Sequence, residues 1–138
     1  MRPLIESTSG TRGIIGENLP PVIAMNMAAA FGSFVNKGTV IVGGDTRTSF
    51  EMLKSAVIAG LTSVGIDVID IGKVATPTVQ QMIKHYKAAG GIVVTASHNP
   101  VIWNGIKLMN STGSFLDDEQ YKEYFEIYKN NNNELATW

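Results

Sequence analysis

Ser97, His98 and Asn99 stand in a row between Ala96 and Pro100, and Lys107 follows shortly after. A hydroxyl, an imidazole, an amide and an ammonium in one short stretch could equip a group-transfer site. It would hold a nucleophile, groups that move its proton, and a cation for the group being moved. Two other polar stretches carry matching chemistry. Residues 43–49 hold Asp45 and Arg47, and residues 9–13 hold Arg12 between Gly10 and Gly13. Arginine offers a planar fork suited to phosphate, and glycines let backbone come close to a ligand.

Taken singly, each residue has an ordinary reading. An arginine in a short loop is more often an ion-pair residue than a ligand, and most lysines are solvated. Asp45 can cap its own turn, and Gly10 and Gly13 can be turn residues. Ser97-His98 suggests a hydrolase, but adjacent residues rarely point the right way for base activation, and no G-x-S-x-G elbow is present. His85 reads as a surface histidine. Trp103 sits in the same loop as the serine, where it either shields the site or anchors the loop.

The scaffold follows from the apolar pattern. Of 138 residues, 44% are hydrophobic and 17% charged, against about 25% charged in ordinary domains, which excludes a disordered chain. Residues 39–43 form a β-branched run that predicts a buried strand, residues 66–71 a second and residues 92–95 a third. Residues 105–109 read as a shorter fourth strand. Between the runs lie helical patterns. Leu53, Val57, Gly60, Leu61 and Val64 form one stripe, behind Thr48 and Glu51 in capping-box spacing. Thr76 is a plausible cap ahead of Pro77 for a helix to about residue 87. Asp117 can cap a last helix whose stripe is Tyr121, Tyr124, Phe125 and Tyr128. Pro20-Pro21 opens an early helix with Ile23, Met27, Phe31 and Phe34 on one face. Alternating strands and helices predict an α/β fold, a three-layer αβα sandwich. Its sheet should be mixed and mostly parallel, of about four strands, with residues 105–109 as an antiparallel edge. Residues 130–133 read as an exposed polar linker. In such sheets ligands bind beyond the carboxyl ends of the strands, which is where the Asp45 and Ser97 loops lie.

Several classes are excluded. Eleven Lys plus Arg against 12 Asp plus Glu give a net charge of −1, so no global basic field attracts nucleic acid. The longest largely apolar stretch, residues 22–35, falls short of the about 20 residues of a bilayer span, so no membrane role is expected. The first residues, MRPLIESTSG, lack the apolar core of a secretory signal. Cysteine is absent, which removes disulfides and thiolate metal sites and fits a cytoplasmic protein. Only His85 and His98 offer imidazoles, so a histidine metal site is not expected.

The conjunction of these stretches is more specific than its parts. Thr95-Ala-Ser-His-Asn-Pro100 followed by Asn104-Gly-Ile-Lys107 resembles the catalytic segment of the α-D-phosphohexomutases, which include phosphoglucomutase, phosphomannomutase and phosphoglucosamine mutase. The Gly-Thr-Arg-Gly element at Gly10 to Gly13 and the Gly43, Asp45, Arg47 element match further marks of that family, in the same order. The Trp-Asn-Gly-Ile-Lys form resembles the archaeal-type and Bacteroidetes-type phosphoglucosamine mutase branch more than the phosphoglucomutases.

The resemblance implies an intramolecular phosphotransferase that moves a phosphoryl group between the 1- and 6-positions of a hexose phosphate. Ser97 would be the phosphoserine, and a bisphosphorylated sugar the intermediate. Lys107 and Arg12 are then the candidates for general acid–base work and phosphate neutralisation. His98 and Asn99 would orient the loop and contact substrate or phosphate. Asn104, Gly105 and Arg47 are further substrate or phosphate residues, Arg47 reading equally as a supporting, structural residue. The implied cofactors are Mg2+, reached here only through the phosphate on Ser97, and a glucose 1,6-bisphosphate-type activator. Residues 1–138 would be the first domain alone, its partners being the hexose phosphate and the remaining domains of the same polypeptide. The family's magnesium loop, sugar-specificity loop and last phosphate-binding domain are not matched in this sequence. The competing readings are a non-catalytic phosphosugar-binding module, which has no need of a nucleophile, and a serine hydrolase, which lacks an acid–histidine pair.

Overall fold

The computed structural model describes residues 2–137. In chain order it contains β1 (Ile5–Ser7), β2 (Gly10–Ile14), α1 (Pro21–Val35), β3 (Thr39–Gly44) and α2 (Phe50–Ser63). Then come β4 (Asp67–Lys73), α3 (Thr76–Tyr86), β5 (Gly90–Val94), β6 (Trp103–Asn110) and α4 (Asp118–Asn130). The strands make one sheet in the order β1-β2-β6-β5-β3-β4. β3 and β5 are buried almost throughout, as strands covered on both faces must be. On one face α1, α2 and α4 cover Val40, Val42, Ile92, Val94, Ile106 and Leu108. On the other, Val79 and Ile83 of α3 pack against Ile41, Val93 and Met109. The three layers are therefore those the alternation predicts.

β3 pairs in parallel with both β4 and β5, and β6 runs antiparallel to β5, as expected. Two expectations need correcting. The sheet has six strands rather than about four, and β6 is interior rather than an edge. β2 occupies its far side, pairing Thr11 with Ile106, Arg12 with Gly105 and Ile14 with Trp103. The sequence of β2, Gly-Thr-Arg-Gly-Ile, has little strand propensity of its own. Tertiary pairing makes it a strand, and crowding explains a glycine in it. A Cβ on Gly13 would lie 2.7 Å from both Asn18 Oδ1 and Leu4 Cδ2. β1 then closes the sheet as a short exposed edge.

The helix caps divide in the same way. Asp117 caps α4 as expected, accepting from Gln120 N at 2.8 Å while Gln120 Oε1 accepts from Asp117 N at 3.1 Å. The Thr48–Glu51 capping box does not form. α2 starts at Phe50 behind Ser49, whose hydroxyl is taken by Asn104 Nδ2 at 2.8 Å. Ala75 rather than Thr76 occupies the N-cap of α3. α4 runs on to Asn130, and the chain beyond it is tied back by Ala136 N to Ser63 O at 2.9 Å. Among the described residues, no helix is long and apolar enough to cross a membrane.

Tyr124, the centre of the aromatic stripe, is 1% exposed, and its hydroxyl finds no partner. A buried hydroxyl without a hydrogen bond costs about 1–3 kcal/mol. Burial also holds that phenol well above its ordinary pKa, with Tyr128, Tyr121 and Glu6 adding to it. Tyr124→Phe should therefore raise stability, by about 1 kcal/mol in a urea titration. A loss of stability would mean that the hydroxyl is satisfied in solution.

Candidate active site

β3 and β5 are adjacent and parallel, and their carboxyl ends open onto the same edge. From β3 the chain leaves through α2, on one face, to β4; from β4 it returns through α3, on the other face, to β5. The crevice beyond such a reversal is where doubly wound sheets take ligands. It holds the Asp45–Arg47 loop after β3 and the Ser97 loop after β5. An open depression of ≈ 420 Å³ lies there, lined by Asp45, Thr46, Arg47, Ser97, Asn99 and Val101.

Ser97 is exposed and sits at φ +54°, in the left-handed region that side chains rarely enter. Such backbone persists only where neighbours over-determine it. Its N–H donates to Thr95 Oγ1 at 3.0 Å, and its carbonyl accepts from Arg47 Nη2 at 2.9 Å. The side chain meets Lys107, whose Nζ donates to Ser97 Oγ at 2.8 Å. Lys107 reaches it from β6, where it pairs with Val93 of β5. Its stem crosses Gly10, since a Cβ there would lie 2.9 Å from Lys107 Cγ. Burial lowers the Lys107 pKa below its ordinary value of 10.5, and the nearby positive charge of Arg12 lowers it further. The Phe115 ring, centred 5.5 Å from Nζ, offers its face to the ammonium.

The two arginines differ sharply. A guanidinium has five N–H donors. Those of Arg47 go to Asp45 Oδ2 at 3.0 Å and to the carbonyls of Pro100, Trp103, Ser97 and Asn99 at 2.7–2.9 Å. None is left for phosphate here, so of the two readings of Arg47 the geometry favours the supporting one: it clamps the serine loop. Arg12, half-buried on β2, makes one hydrogen bond among the described residues, a long 3.4 Å contact with Asn99 Oδ1. Its remaining donors are uncommitted and lie on the Lys107 side of the sheet. Arg12 is therefore the arginine that can take an anion.

The other expected residues fall into two groups. Asn99 lines the depression and touches Arg12, as a substrate or phosphate residue should. His98 is exposed on the loop and makes no hydrogen bond to Ser97, Lys107 or Arg12. Asn104 is fully buried, its amide spent on Ser49 Oγ and on Gly105 N. Buried there, it braces the loop from beneath. Gly105 is likewise a spacer. A Cβ there would lie 2.6 Å from Thr11 O and 3.2 Å from Arg12 Cγ, so its bareness lets Arg12 lie across the sheet. Trp103 anchors the loop through its backbone, accepting from Arg47 and donating to Pro100. Residue type and spacing do not mark Thr95, Ser49 or Phe115 as site residues. Thr95 and Ser49 act through contacts between residues far apart in sequence, which spacing does not reveal.

Residues 4–135 match the family model described as phosphoglucomutase/phosphomannomutase, alpha/beta/alpha domain I. The chain belongs to this family. It is 45% identical over 131 residues to a Pyrococcus abyssi protein named "Probable phosphoglucosamine mutase", covering 95% of this chain and 29% of that protein. It is 43% identical over 136 residues to a phosphoglucomutase/phosphomannomutase of Thermococcus kodakarensis, covering 95% of this chain and 30% of that protein. A crystal structure of a phosphoglucomutase/phosphomannomutase family protein from Burkholderia thailandensis superimposes with a TM-score of 0.82 at 30% identity. That match covers 96% of this chain and 32% of the other. The chain thus spans about a third or less of the length of these phosphohexomutase relatives.

Proposed function

We propose that the chain is the phosphoserine-carrying domain of a phosphohexomutase, an enzyme that moves a phosphoryl group between the 1- and 6-positions of a hexose phosphate. The observation that carries this reading is the 2.8 Å contact between Lys107 Nζ and Ser97 Oγ beside the uncommitted Arg12. A serine hydroxyl is a weak nucleophile until its proton is taken. When Ser97 Oγ attacks a phosphate of the bisphosphorylated sugar, the Oγ–P bond forms and the sugar's O–P bond breaks. Neutral Lys107 takes the Oγ proton in that step. In the opposite step a sugar hydroxyl attacks phosphoserine and gives up its proton to a base on the sugar side, the Oγ–P bond breaks, and the Lys107 ammonium returns a proton to Ser97 Oγ. In the first step the departing sugar oxygen takes its proton from that same side. Arg12 neutralises charge on the phosphoryl oxygens in both directions. Asn99 and the exposed His98 face the sugar side.

Among the described residues, no three His, Asp or Glu side chains converge on a cation position. The donor set suits Mg2+ only in part. A phosphate oxygen on Ser97 would be one ligand, and domains beyond this one would supply the others and the sugar contacts. When bound, the ion offsets charge on the transferring group. Relatives named for glucosamine, glucose and mannose phosphates make those three sugars the substrate panel, with glucosamine phosphate first. Work on a metabolic sugar phosphate, together with a cysteine-free composition, fits the cytoplasm.

This chain alone should therefore show no measurable mutase turnover, because much of the stabilisation of the transition state lies outside it. A coupled assay with each sugar 1-phosphate, its 1,6-bisphosphate and Mg2+ tests this against the longer protein carrying the domain. Family-like rates from the 138 residues alone would overturn the division of labour, and no rate from the longer protein would overturn the function.

A further inference from the structure

Of this chain's residues, the transfer proposed above uses Ser97, Lys107 and Arg12, and Asp45 and Thr95 have no step in it. Yet both stand next to the nucleophile in a continuous network. Asp45 Oδ2 accepts from Thr95 Oγ1 at 2.6 Å and from Arg47 Nε at 3.0 Å, while Oδ1 accepts from Arg47 N at 3.1 Å. Thr95 Oγ1 in turn accepts from Ser97 N, and Arg47 donates to Ser97 O. Asp45 itself is pinned to the sheet by its own N–H, which donates to Val94 O at 3.1 Å.

We propose that Asp45 and Thr95 are positioning residues: with Arg47 they fix both peptide groups flanking Ser97 Cα, and so hold its hydroxyl on Lys107. The logic is geometric. The orientation of the peptide before Cα sets φ, and that of the peptide after it sets ψ. The Ser97 N–H belongs to the first and the Ser97 C=O to the second. One carboxylate controls both, through Thr95 on one side and Arg47 on the other. That is the over-determination a left-handed serine requires. Capping of its own turn accounts for the Asp45 bond to Arg47 N but not for the bond to Thr95, fifty positions away in sequence. Nor does Asp45 suit a phosphate ligand, being a carboxylate already paired with Arg47. The catalytic part of this inference rests on the function proposed above, whereas the conformational part does not.

The test compares Thr95→Val, which keeps the shape and loses the oxygen, with Thr95→Ser, which keeps the oxygen. Asp45→Asn is the second variant, should valine perturb the fold. In the labelled 138-residue chain, NMR reads the strong intraresidue amide-to-Hα cross-peak that a positive φ produces at Ser97. The peak should persist in wild type and Thr95→Ser, and weaken in Thr95→Val and Asp45→Asn, with the rest of the spectrum folded. In the longer enzyme, kcat should fall about 10²-fold in Thr95→Val with KM unchanged, and Thr95→Ser should recover most of it. An undiminished Ser97 cross-peak in both disruptive variants would overturn the proposal, as would equal losses in Thr95→Val and Thr95→Ser. The NMR arm needs no turnover, so an inactive wild-type enzyme would sink the proposed function and leave the conformational result readable.

Discussion

Replacing Ser97 with alanine should leave the domain folded and remove phosphoryl transfer by several orders of magnitude, as deletion of a nucleophile does elsewhere. The fold should survive because the side chain is exposed and its hydroxyl meets only Lys107. Stability should change by less than about 0.5 kcal/mol, as at other surface sites. Glycine at the same position is the companion variant, since it adopts the left-handed backbone at no steric cost. A loss shared by both variants therefore belongs to the hydroxyl and not to a collapsed loop. Phosphopeptide mass spectrometry of the longer protein, after incubation with glucose 1,6-bisphosphate, should place the label on Ser97. Other serines are internal controls with other partners. Ser7 and Ser9 bond one another, Ser49 takes the Asn104 amide, and Ser114 receives the Thr112 hydroxyl. Label on any of these, or undiminished turnover in Ser97→Ala, would show that the carrier lies elsewhere.

What the sequence displays here is what local patterning encodes. The β-branched runs of β3 and β5 and the apolar stripes of α2 and α4 are periodic, and burial against a sheet demands that periodicity. The αβα layering followed from them, and the antiparallel pairing of residues 105–109 from the shortness of that strand and its close link to β5. β2 was invisible because its residues were chosen by the site. Gly10 and Gly13 answer to crowding, and Arg12 answers to charge, so only Thr11 and Ile14 of β2 keep strand propensity. The missing capping box at Thr48–Glu51 has the same origin, because Ser49 serves Asn104. Among the site residues, Ser97, Lys107 and Arg12 were legible as chemistry from type and motif. The division between the two arginines was legible in part, but its cause was not, because that turns on carbonyls that only the folded loop turns toward Arg47. Asn104 and Gly105 show a related limit. They sit inside the motif and beneath the loop, and sequence proximity to a nucleophile does not distinguish a residue that touches ligand from one that supports the residue touching it.

The division between Arg12 and Lys107 makes a sharper prediction about pH. Lys107 must be neutral to take the Ser97 proton and charged to return it, so the two half-reactions should respond oppositely to its titration. Attack of Ser97 on a bisphosphorylated sugar should accelerate as pH rises, along a limb with its midpoint below 10.5, because burial and then Arg12 disfavour the ammonium. Transfer from phosphoserine should slow as pH rises, along a limb with a higher midpoint, because the phosphate on Ser97 Oγ, next to Lys107 Nζ, favours the ammonium. For the attack, Arg12→Gln removes the second cause and leaves the first, so the midpoint should move up toward 10.5 without reaching it. Lys107→Met should abolish both limbs and cost about 10²–10⁴-fold, the usual range for a general acid–base group. Single-turnover quench-flow, run in each direction across the alkaline range, reads all three outcomes. Limbs that survive in Lys107→Met would assign the proton to another group. A midpoint that falls in Arg12→Gln would show that Arg12 does not act on Lys107 through its charge, since removing a like charge can only make the ammonium easier to hold.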